Sequence, residues 1–441
     1  MPQDRPVPKI YRQKYLSQPL VLYRGSAELF CEDQQLFGKV TLELGWHPYP
    51  NITIKFVYNY TQVKTGFLDS SSSKYSLKLQ DITPQKIVDF RWFRDKPLRN
   101  KQRELYGYLR EPLIIGSCKD LTSLVFNITN FFSFSIFNQW DTFPDGKGGW
   151  IEVQREGWLG FDGQFTFDYQ NWHIVLGDLR SDWEIEEHLE ERGGFLITHI
   201  FKVEHLDNTI LNFQEAQKIV KAFCYYLSFV RGLWISPLLC SGFDQSGTCV
   251  FEEWKTPEIQ ADSWFSLANC WTTSDTTECV YYFSGFMDKW NDPQWNSVIQ
   301  DSIQWYIESS KHTSGNNTCI VLVQAALEKL AWTYLSTNEY LSPDGFKKLT
   351  FADKTKLMLK ILKIELIPLD ENWEITKLSK EKNWPDSVEA IAQVRNLIVH
   401  PTVNKKQSQI TISEIMMAEI FEVAHYYLWQ SLLKIFGFSI Q

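Results

Sequence analysis

One short segment near the C-terminal end of the chain carries side chains that could perform catalysis: Arg395, Asn396 and His400, in the run Arg-Asn-Leu-Ile-Val-His-Pro. An imidazole can donate or accept a proton near neutral pH. A guanidinium can stabilise negative charge that develops on phosphate oxygens through its paired N–H donors. These groups suffice for cleavage of RNA by its own 2′-hydroxyl, a reaction that needs no metal ion and is closed to DNA.

The segment is predicted to end a helix over residues 386–399. Pro401 disfavours the α conformation at His400, so the helix should stop there and His400 should stand at its terminus. Arg395 lies about 140° from His400 around an ideal helix axis, so one shared face is not automatic. A loosened last turn and the long Arg side chain would bring the two groups together. The alternative is structural: both side chains only satisfy terminal carbonyl groups of the helix.

Lysines that could bind the phosphate backbone of RNA cluster around this segment. Three recur at i, i+4 and i+7 of a predicted helix over residues 351–364 and would share one face, and two follow the segment. In that order they are Lys356, Lys360, Lys363, Lys405 and Lys406. The alternative for the helical three is an ordinary solvated face. His425, on the last predicted helix, is expected to be packed and hydrogen-bonded rather than in contact with RNA.

The composition is that of a globular protein. The 441 residues are 44% apolar and 22% charged, with a formal net charge of −9. This supports a complete core and argues against non-specific nucleic-acid binding over the whole surface, while a local basic site stays open. No run approaches about 18 apolar residues, so no membrane span is expected. Without a signal core at the N-terminus or a CxxC pair, we expect a cytoplasmic protein with reduced cysteines and no metal or other cofactor.

Residues 1–295 are predicted to be a β-rich region. Residues 40–44 and 52–56 alternate apolar and polar side chains with the period of two that marks a half-buried strand. Turn-forming residues separate many such runs, which favours an antiparallel, sandwich-like or barrel-like region. A helix over 212–232 interrupts it and could divide it into two subdomains. Residues 233–290 are expected to return to β structure.

Residues 296–441 are predicted to form a helical bundle. Five segments have helical character, and short loops join them. The second, which begins near Thr318, is apolar almost all round and is expected to be central. The last opens with a possible capping box made by Thr411 and Glu414. The predicted fold class is therefore α+β: an antiparallel β-rich region followed by an α-helical bundle.

The motif Arg395-Asn396-x-x-x-His400 on the penultimate helix of such a bundle resembles the HEPN superfamily (higher eukaryotes and prokaryotes nucleotide-binding). The second helix, with Val323-Gln-Ala-Ala-Leu-Glu-Lys-Leu-Ala, and the last, with Ala424-His-Tyr-Tyr-Leu-Trp-Gln-Ser-Leu-Leu, are similar to HEPN helices. The resemblance covers the predicted bundle. It is closest to bacterial HEPN proteins with a β-rich N-terminal part, including abortive-infection proteins of the ApeA type.

This resemblance implies a metal-independent endoribonuclease that acts as a toxin or anti-phage defence effector. His400 would be the general acid or base, Arg395 would stabilise the phosphate, and Asn396 would orient the site by hydrogen bonding. HEPN domains usually pair so that two motifs face each other, which implies a homodimer. An acidic residue on an earlier helix often supports the site, and Glu328 is the candidate. The β-rich region would bind an unknown trigger and restrain the nuclease.

A second hypothesis assigns no catalysis to the chain. Seven of its 18 tryptophans fall within residues 234–305, the stretch that leads into the bundle. In this hypothesis the β-rich region binds a carbohydrate or protein ligand, and the bundle only dimerises. Most of the tryptophans are expected in core or inter-domain packing rather than on an exposed platform. The discriminating observation is whether Arg395 and His400 are open to solvent.

Overall fold

The chain divides into two compact units, Met1–Cys224 with Trp234–Leu267, and Tyr225–Leu233 with Ala268–Gln441. The predicted boundary between the β-rich region and the bundle lies later, between residues 295 and 296. The described residues of this computed structural model are 11, 13–31, 34–59, 75–82, 86–131, 140–144, 150–154, 164–179, 183–264, 277–311, 315–338, 343–400 and 412–437.

The first unit begins with six antiparallel strands. They are β1 (Leu20–Cys31), β2 (Gln34–Gly45), β3 (Asn51–Asn59), β4 (Tyr75–Leu79), β5 (Lys86–Pro97) and β6 (Gln102–Leu109). They close into a barrel in the order β1-β2-β3-β6-β5-β4. Inward-facing side chains such as Leu42, Ile54 and Phe56 are fully buried. Closure gives each of the six strands a hydrogen-bonded neighbour on both sides over at least part of its length.

Seven further strands of the first unit form one antiparallel sheet. They are β7 (Leu113–Gly116), β8 (Ser123–Thr129), β11 (Gln164–Tyr169), β12 (Trp172–Asp178), β13 (Ile197–His205), β14 (Leu238–Phe243) and β15 (Cys249–Trp254), in the order β11-β12-β13-β8-β14-β15-β7. A small two-stranded sheet consists of β9 (Trp140–Pro144) and β10 (Trp150–Gln154). Helix α1 (Trp183–Arg192) belongs to this unit, and the unit boundary after Cys224 falls within helix α2 (Phe213–Arg231). Phe223 of α2 meets the rings of Phe167 and Phe201 edge-on, at 5.1 and 5.2 Å between centroids.

The second unit is helical. Its helices are α3 (Thr277–Asn291), α4 (Asn296–Ser310), α5 (Asn316–Thr337), α6 (Pro343–Lys348), α7 (Phe351–Ile361), α8 (Glu374–Lys382), α9 (Ser387–Val399) and α10 (Glu414–Ile435). Helix α5 is central, because α4, α7, α9 and α10 all pack against it. Its residues Val323, Leu327 and Leu330 are fully buried. Within the described residues no helix has the length and apolar character needed to cross a membrane.

The predicted fold class is confirmed: an antiparallel β-rich region precedes a helical one, and all five predicted helices are present as α4, α5, α7, α9 and α10. The return to β structure over residues 233–290 is only partly right. Strands β14 and β15 lie there, but residues from Thr277 onward form α3, which buries Phe283, Phe286 and Met287 on one side. The polar residues that precede Thr277 in the sequence mask the helical spacing of these apolar residues from a prediction based on pattern.

Candidate functional site

Helix α9, which carries the candidate motif, is anchored at its first turn. The side chain of Asp386 accepts a hydrogen bond from the Glu389 backbone N–H at 2.8 Å and caps the helix. The same carboxylate pairs with Lys356 Nζ of α7 at 3.1 Å. Ser387 Oγ and Tyr427 Oη of α10 lie 2.7 Å apart. The start of the motif helix is therefore tied to two neighbouring helices.

The last turn of α9 emerges from the core. Val388, Ile391 and Val394 are fully buried, whereas Ile398 is only partly covered and Val399 is 40% exposed. The first turns of the helix thus provide the apolar anchor, and the motif occupies the part that is open to solvent.

The three motif residues share this terminal turn. Arg395 Nη1 donates to Asn396 Oδ1 at 3.3 Å. His400 is the C-cap, with φ −121° and ψ 75°, and its backbone N–H donates to the Asn396 carbonyl at 2.8 Å. Asn396 and His400 are exposed and Arg395 is partly buried. The predicted helix end at His400 is confirmed. The side chain of His400 is accessible from solvent, and that of Arg395 is accessible in part.

The geometry joins the motif residues to different degrees. Asn396 and His400 are four positions apart, so they project from neighbouring points of the helix surface. Arg395 reaches that side through its hydrogen bond to Asn396. Over the described part of the chain, no hydrogen bond links the His400 imidazole to either side chain. A phosphate bound between guanidinium and imidazole would supply that connection, since both are donors to phosphate oxygens.

Glu328 lies exposed on α5. Across residues 315–338 and 343–400, no hydrogen bond or ion pair connects it to Arg395 or His400. Its supporting role stays a prediction. Trp332, one helical turn later on the same face, is 49% exposed and meets the ring of Phe346 edge-on at 4.3 Å.

The predicted lysines do not form one helical strip. Lys356 is engaged with Asp386 and so supports α9. Lys360 is exposed near the end of α7, but the helix ends at Ile361, and Lys363 follows it with a left-handed backbone at φ 57°. The i, i+4, i+7 relation therefore breaks before its third member. Lys405 and Lys406 lie outside the described residues.

Two basic features were not evident from spacing. Partial burial, together with the charge of nearby Lys363, lowers the pKa of Lys434 at the end of α10. Lys354 of α7 is largely buried, with its Nζ 4.8 Å from the Phe346 ring centroid and 5.3 Å from that of Trp332. Lys434 and Lys363 belong to the end of α10 and to the segment after α7, which are far apart in sequence, so only the fold could reveal their interaction.

His425 is packed and hydrogen-bonded, as predicted. Its Nε2 lies 2.8 Å from Ser310 Oγ, and its ring stacks on Tyr306 at 4.6 Å. Burial lowers the pKa of this imidazole to about 4. It is therefore neutral near pH 7 and holds α10 against the end of α4.

No metal-binding cluster of three or more His, Cys, Asp or Glu side chains occurs in the described ranges. In the same ranges, six cysteines are thiols rather than halves of disulfide bonds: Cys118, Cys224, Cys240, Cys249, Cys279 and Cys319. Burial raises the pKa of the Cys279 thiol to about 12, which keeps it protonated and unreactive at neutral pH.

Comparison with known families gives two matches. Residues 116–265 match the model of the YopA central domain, and residues 292–441 match that of the YopA C-terminal domain. The chain is 27% identical over 249 residues to the SPbeta prophage-derived uncharacterized protein YopA of Bacillus subtilis (strain 168). The match covers 55% of this chain and 54% of the relative, so it spans about half of that protein's length. No solved structure matches. The resemblance to HEPN proteins has no counterpart among these matches.

Proposed function

We propose that the helical unit is a metal-independent endoribonuclease whose reactive groups are Arg395, Asn396 and His400. The observation that carries this proposal is the terminal turn of α9, where an exposed imidazole follows an Arg–Asn pair joined at 3.3 Å. Such a turn offers a cation, a hydrogen-bonding amide and a proton carrier to one bound phosphodiester. A helix end with a purely structural role does not require that a guanidinium, an amide and an imidazole be accessible on the same turn.

In the reaction, His400 accepts the proton of the ribose 2′-hydroxyl as its oxygen attacks the neighbouring phosphorus. Arg395 stabilises the charge on the phosphate oxygens, and Asn396 holds the guanidinium in place. The bond from phosphorus to the 5′-oxygen breaks, and that oxygen takes up a proton. The products are a 2′,3′-cyclic phosphate and a 5′-hydroxyl. A second copy of the motif, from a partner chain, would supply the second imidazole as general acid.

The setting we propose is a toxin or anti-phage effector, in which the β-rich unit senses a trigger and restrains the nuclease. The relative YopA is named as prophage-derived. An RNase carried by a resident prophage could halt its host when another phage infects, which fits this role. RNA is then the substrate, and a homodimer is the active form.

The decisive experiment measures RNA cleavage by the purified full chain in the presence of EDTA. A fluorescent single-stranded RNA should be cut to products with a cyclic phosphate end, and a 2′-O-methyl RNA should stay intact. His400→Ala and Arg395→Ala should each lower the rate by about 100-fold or more. His188→Ala and Arg192→Ala are matched controls, since both residues are exposed on α1.

Equal cleavage by wild type and His400→Ala would overturn the proposal. Absence of cleavage by the wild-type chain under every condition, with a stable dimer in solution, would favour the non-catalytic binding hypothesis instead. In a bacterial host, expression of the wild-type chain should slow growth and degrade cellular RNA, whereas expression of His400→Ala or Arg395→Ala should do neither.

A further inference from the structure

We infer that the outer face of β3, β6 and β5 in the N-terminal barrel binds single-stranded RNA. The inference begins with the alternation along β6. Leu105 and Leu109 are buried inside the barrel, whereas Tyr106 and Tyr108 are only partly buried. Because successive side chains of a strand point to opposite faces, the two tyrosines stand on the outside. They lie two positions apart, about 7 Å along the strand.

Arginines stand directly beside both tyrosines. The register pairs Arg91 of β5 with Tyr108 and Arg94 with Tyr106. Positions 91 and 94 would face opposite ways in a regular strand, but a bulge between Trp92 and Arg94 shifts the register by one residue. Both arginines are exposed. The irregularity therefore places two guanidinium groups on the same outer face, each next to an aromatic ring.

This face is basic in an acidic chain. Its outward positions include Arg91, Arg94, Lys96, Lys55 and Arg110, against Glu104, Asp89 and Glu43. The carboxylate of Glu43 is already paired with Lys55. Within the described strands, no ion pair neutralises the two arginines. By contrast, Arg103, on the inward side of β6, is held by Asp95 at 2.7 and 3.0 Å.

The hairpin that joins β5 to β6 extends this basic surface. Its tip exposes Arg99 and Lys101, with Asn100 and Lys101 both in the left-handed backbone region at φ 57°. The tip closes through a hydrogen bond from the Leu98 N–H to the Gln102 carbonyl at 2.8 Å. The basic surface thus extends from the barrel wall along the hairpin, in the direction of the strands.

The chemistry of this surface selects the ligand. Guanidinium groups bind phosphates through paired donors, and aromatic rings stack on unpaired bases. A duplex hides the faces of its bases, so the tyrosines would contribute only in contact with a single strand. A membrane surface would use the charges but not the rings. The assignment of a single strand is independent of the nuclease proposal, and only the choice of RNA over DNA rests on it.

The test uses the full chain with His400→Ala, so that bound RNA is not cut, and a fluorescein-labelled 12-nucleotide single-stranded RNA followed by anisotropy over a salt series. Arg91→Glu with Arg94→Glu should weaken binding by about 10-fold or more and flatten the salt dependence by about 1.4 in the log–log slope. The matched control is Arg24→Glu with Lys39→Glu. These residues are exposed on β1 and β2, neither of which neighbours β5 or β6 in the barrel. The control should stay within about twofold of the parent.

The tyrosines are tested separately. Tyr106→Leu should weaken binding by about 5-fold or more at an unchanged salt slope, and Tyr106→Phe should retain affinity because the ring remains. Equal effects of the two charge-reversal pairs would overturn the inference, as would equal affinity for a duplex, or tighter binding to phosphatidylserine vesicles than to RNA. Cleavage by the wild-type chain without barrel binding would refute this inference alone, and binding without any cleavage by the wild-type chain would refute the nuclease alone.

Discussion

Burial decides the protonation of His425. Its ring stacks on Tyr306, lies 5.3 Å from the Phe421 ring and has its Nε2 beside Ser310 Oγ. Water is excluded, so the charged form is disfavoured and the pKa falls to about 4, although a hydrogen bond to the Tyr306 backbone opposes the shift. The neutral imidazole is part of the packing of the helical unit.

The depressed pKa of His425 predicts a loss of stability on acidification. An unfolded imidazole titrates near pH 6.5, so between pH 6.5 and 4 the unfolded chain binds the proton that the folded chain rejects. Stability is therefore complete above pH 6.5 and falls below it, by about 2 kcal/mol at pH 5 from this residue. His425→Gln keeps a hydrogen-bonding group without this titration. Urea unfolding of the wild type and His425→Gln at pH 7.5 and 5 measures the difference.

A flatter pH dependence in the glutamine variant is the expected result. If both proteins lose the same free energy of unfolding between the two pH values, His425 is not the responsible group. His199, whose pKa burial lowers to about 3, contributes equally to both proteins and cancels in the comparison.

The residue scale also shows the limit of sequence reasoning about the site. Arg395 and His400 are close along the chain, so local rules for Pro401 and helix ends sufficed to predict the helix end at His400, although not its exposure. Lys356 was predicted as an RNA contact, yet its amine is beside Asp386, thirty positions later. Helical periodicity gives the face on which a lysine stands but not the partner that another helix brings to it.

At the scale of elements, the position of α9 depends on its first turn. Asp386 caps the helix and accepts from Lys356, while Tyr427 Oη contacts Ser387 Oγ and accepts from the Ile367 backbone N–H at 2.7 Å. These contacts join α7, α9, α10 and the segment after α7. The motif lies at the other end of the same rigid helix, so its orientation follows from this anchor.

Removal of the Asp386 cap should lower the free energy of unfolding more than removal of its ionic partner, Lys356. Asp386→Ala loses both the cap and the pair, and should lower the free energy of unfolding by about 1–2 kcal/mol. Lys356→Met retains the aliphatic stem and should lower it by about 0.5 kcal/mol, because the pair is partly exposed. Lys360→Met, on the same helix and without an ion pair in the described region, should leave it unchanged. Urea denaturation of the three variants tests this order.

The RNA-contact interpretation of Lys356 makes the opposite prediction. If Lys356→Met weakened RNA binding while stability stayed at the wild-type value, the lysine would serve the ligand rather than the helix. Identical stability of the Lys356 and Lys360 variants would likewise exclude the anchoring role.

Elements with one clear periodicity were predictable, and those governed by tertiary contacts were less so. Strands β2 and β3 and helices α5 and α9 follow their patterns directly. Helix α10 starts after Ser413, whose side chain accepts from the Met416 N–H at 3.1 Å. Thr411, the first residue of the predicted capping box, lies outside the described residues. Ser413 also donates to Glu374 of α8 at 2.7 Å. That contact favours Ser413 as the cap and cannot be read from local sequence.

At the scale of the whole molecule, net charge is a poor guide to the partner. The chain carries −9 overall, yet the outer face of β5 and β6 is basic, and Lys363 and Lys434 stand close together in the helical unit. Binding to a polyanion depends on local charge because screening at physiological salt limits its reach to about 8 Å. The proposed RNA-binding face of the barrel can therefore operate on an acidic protein.

The proposed active form contains two chains, and the last turn of α9 suggests where they meet. Val399 is 40% exposed, and Leu397 and Ile398 beside it are only partly covered. Apolar side chains next to a polar motif are suited to contact with a second copy. Ile398→Asp should therefore shift the full chain from dimer to monomer in sedimentation velocity and abolish cleavage.

Mixed dimers test whether two copies share one site. The proposed reaction uses His400 of one chain as base and His400 of the other as acid, so a dimer of one wild-type and one His400→Ala chain lacks one of the two groups. Equal amounts of the two chains, unfolded and refolded together, should then show about a quarter of the activity of the same total amount of wild-type chain, because only a quarter of the dimers are wild type on both sides. Wild-type chain refolded alone is the control. If the mixture keeps half of that activity while dimers form normally, each chain must complete its own site, and the contact at α9 serves only association.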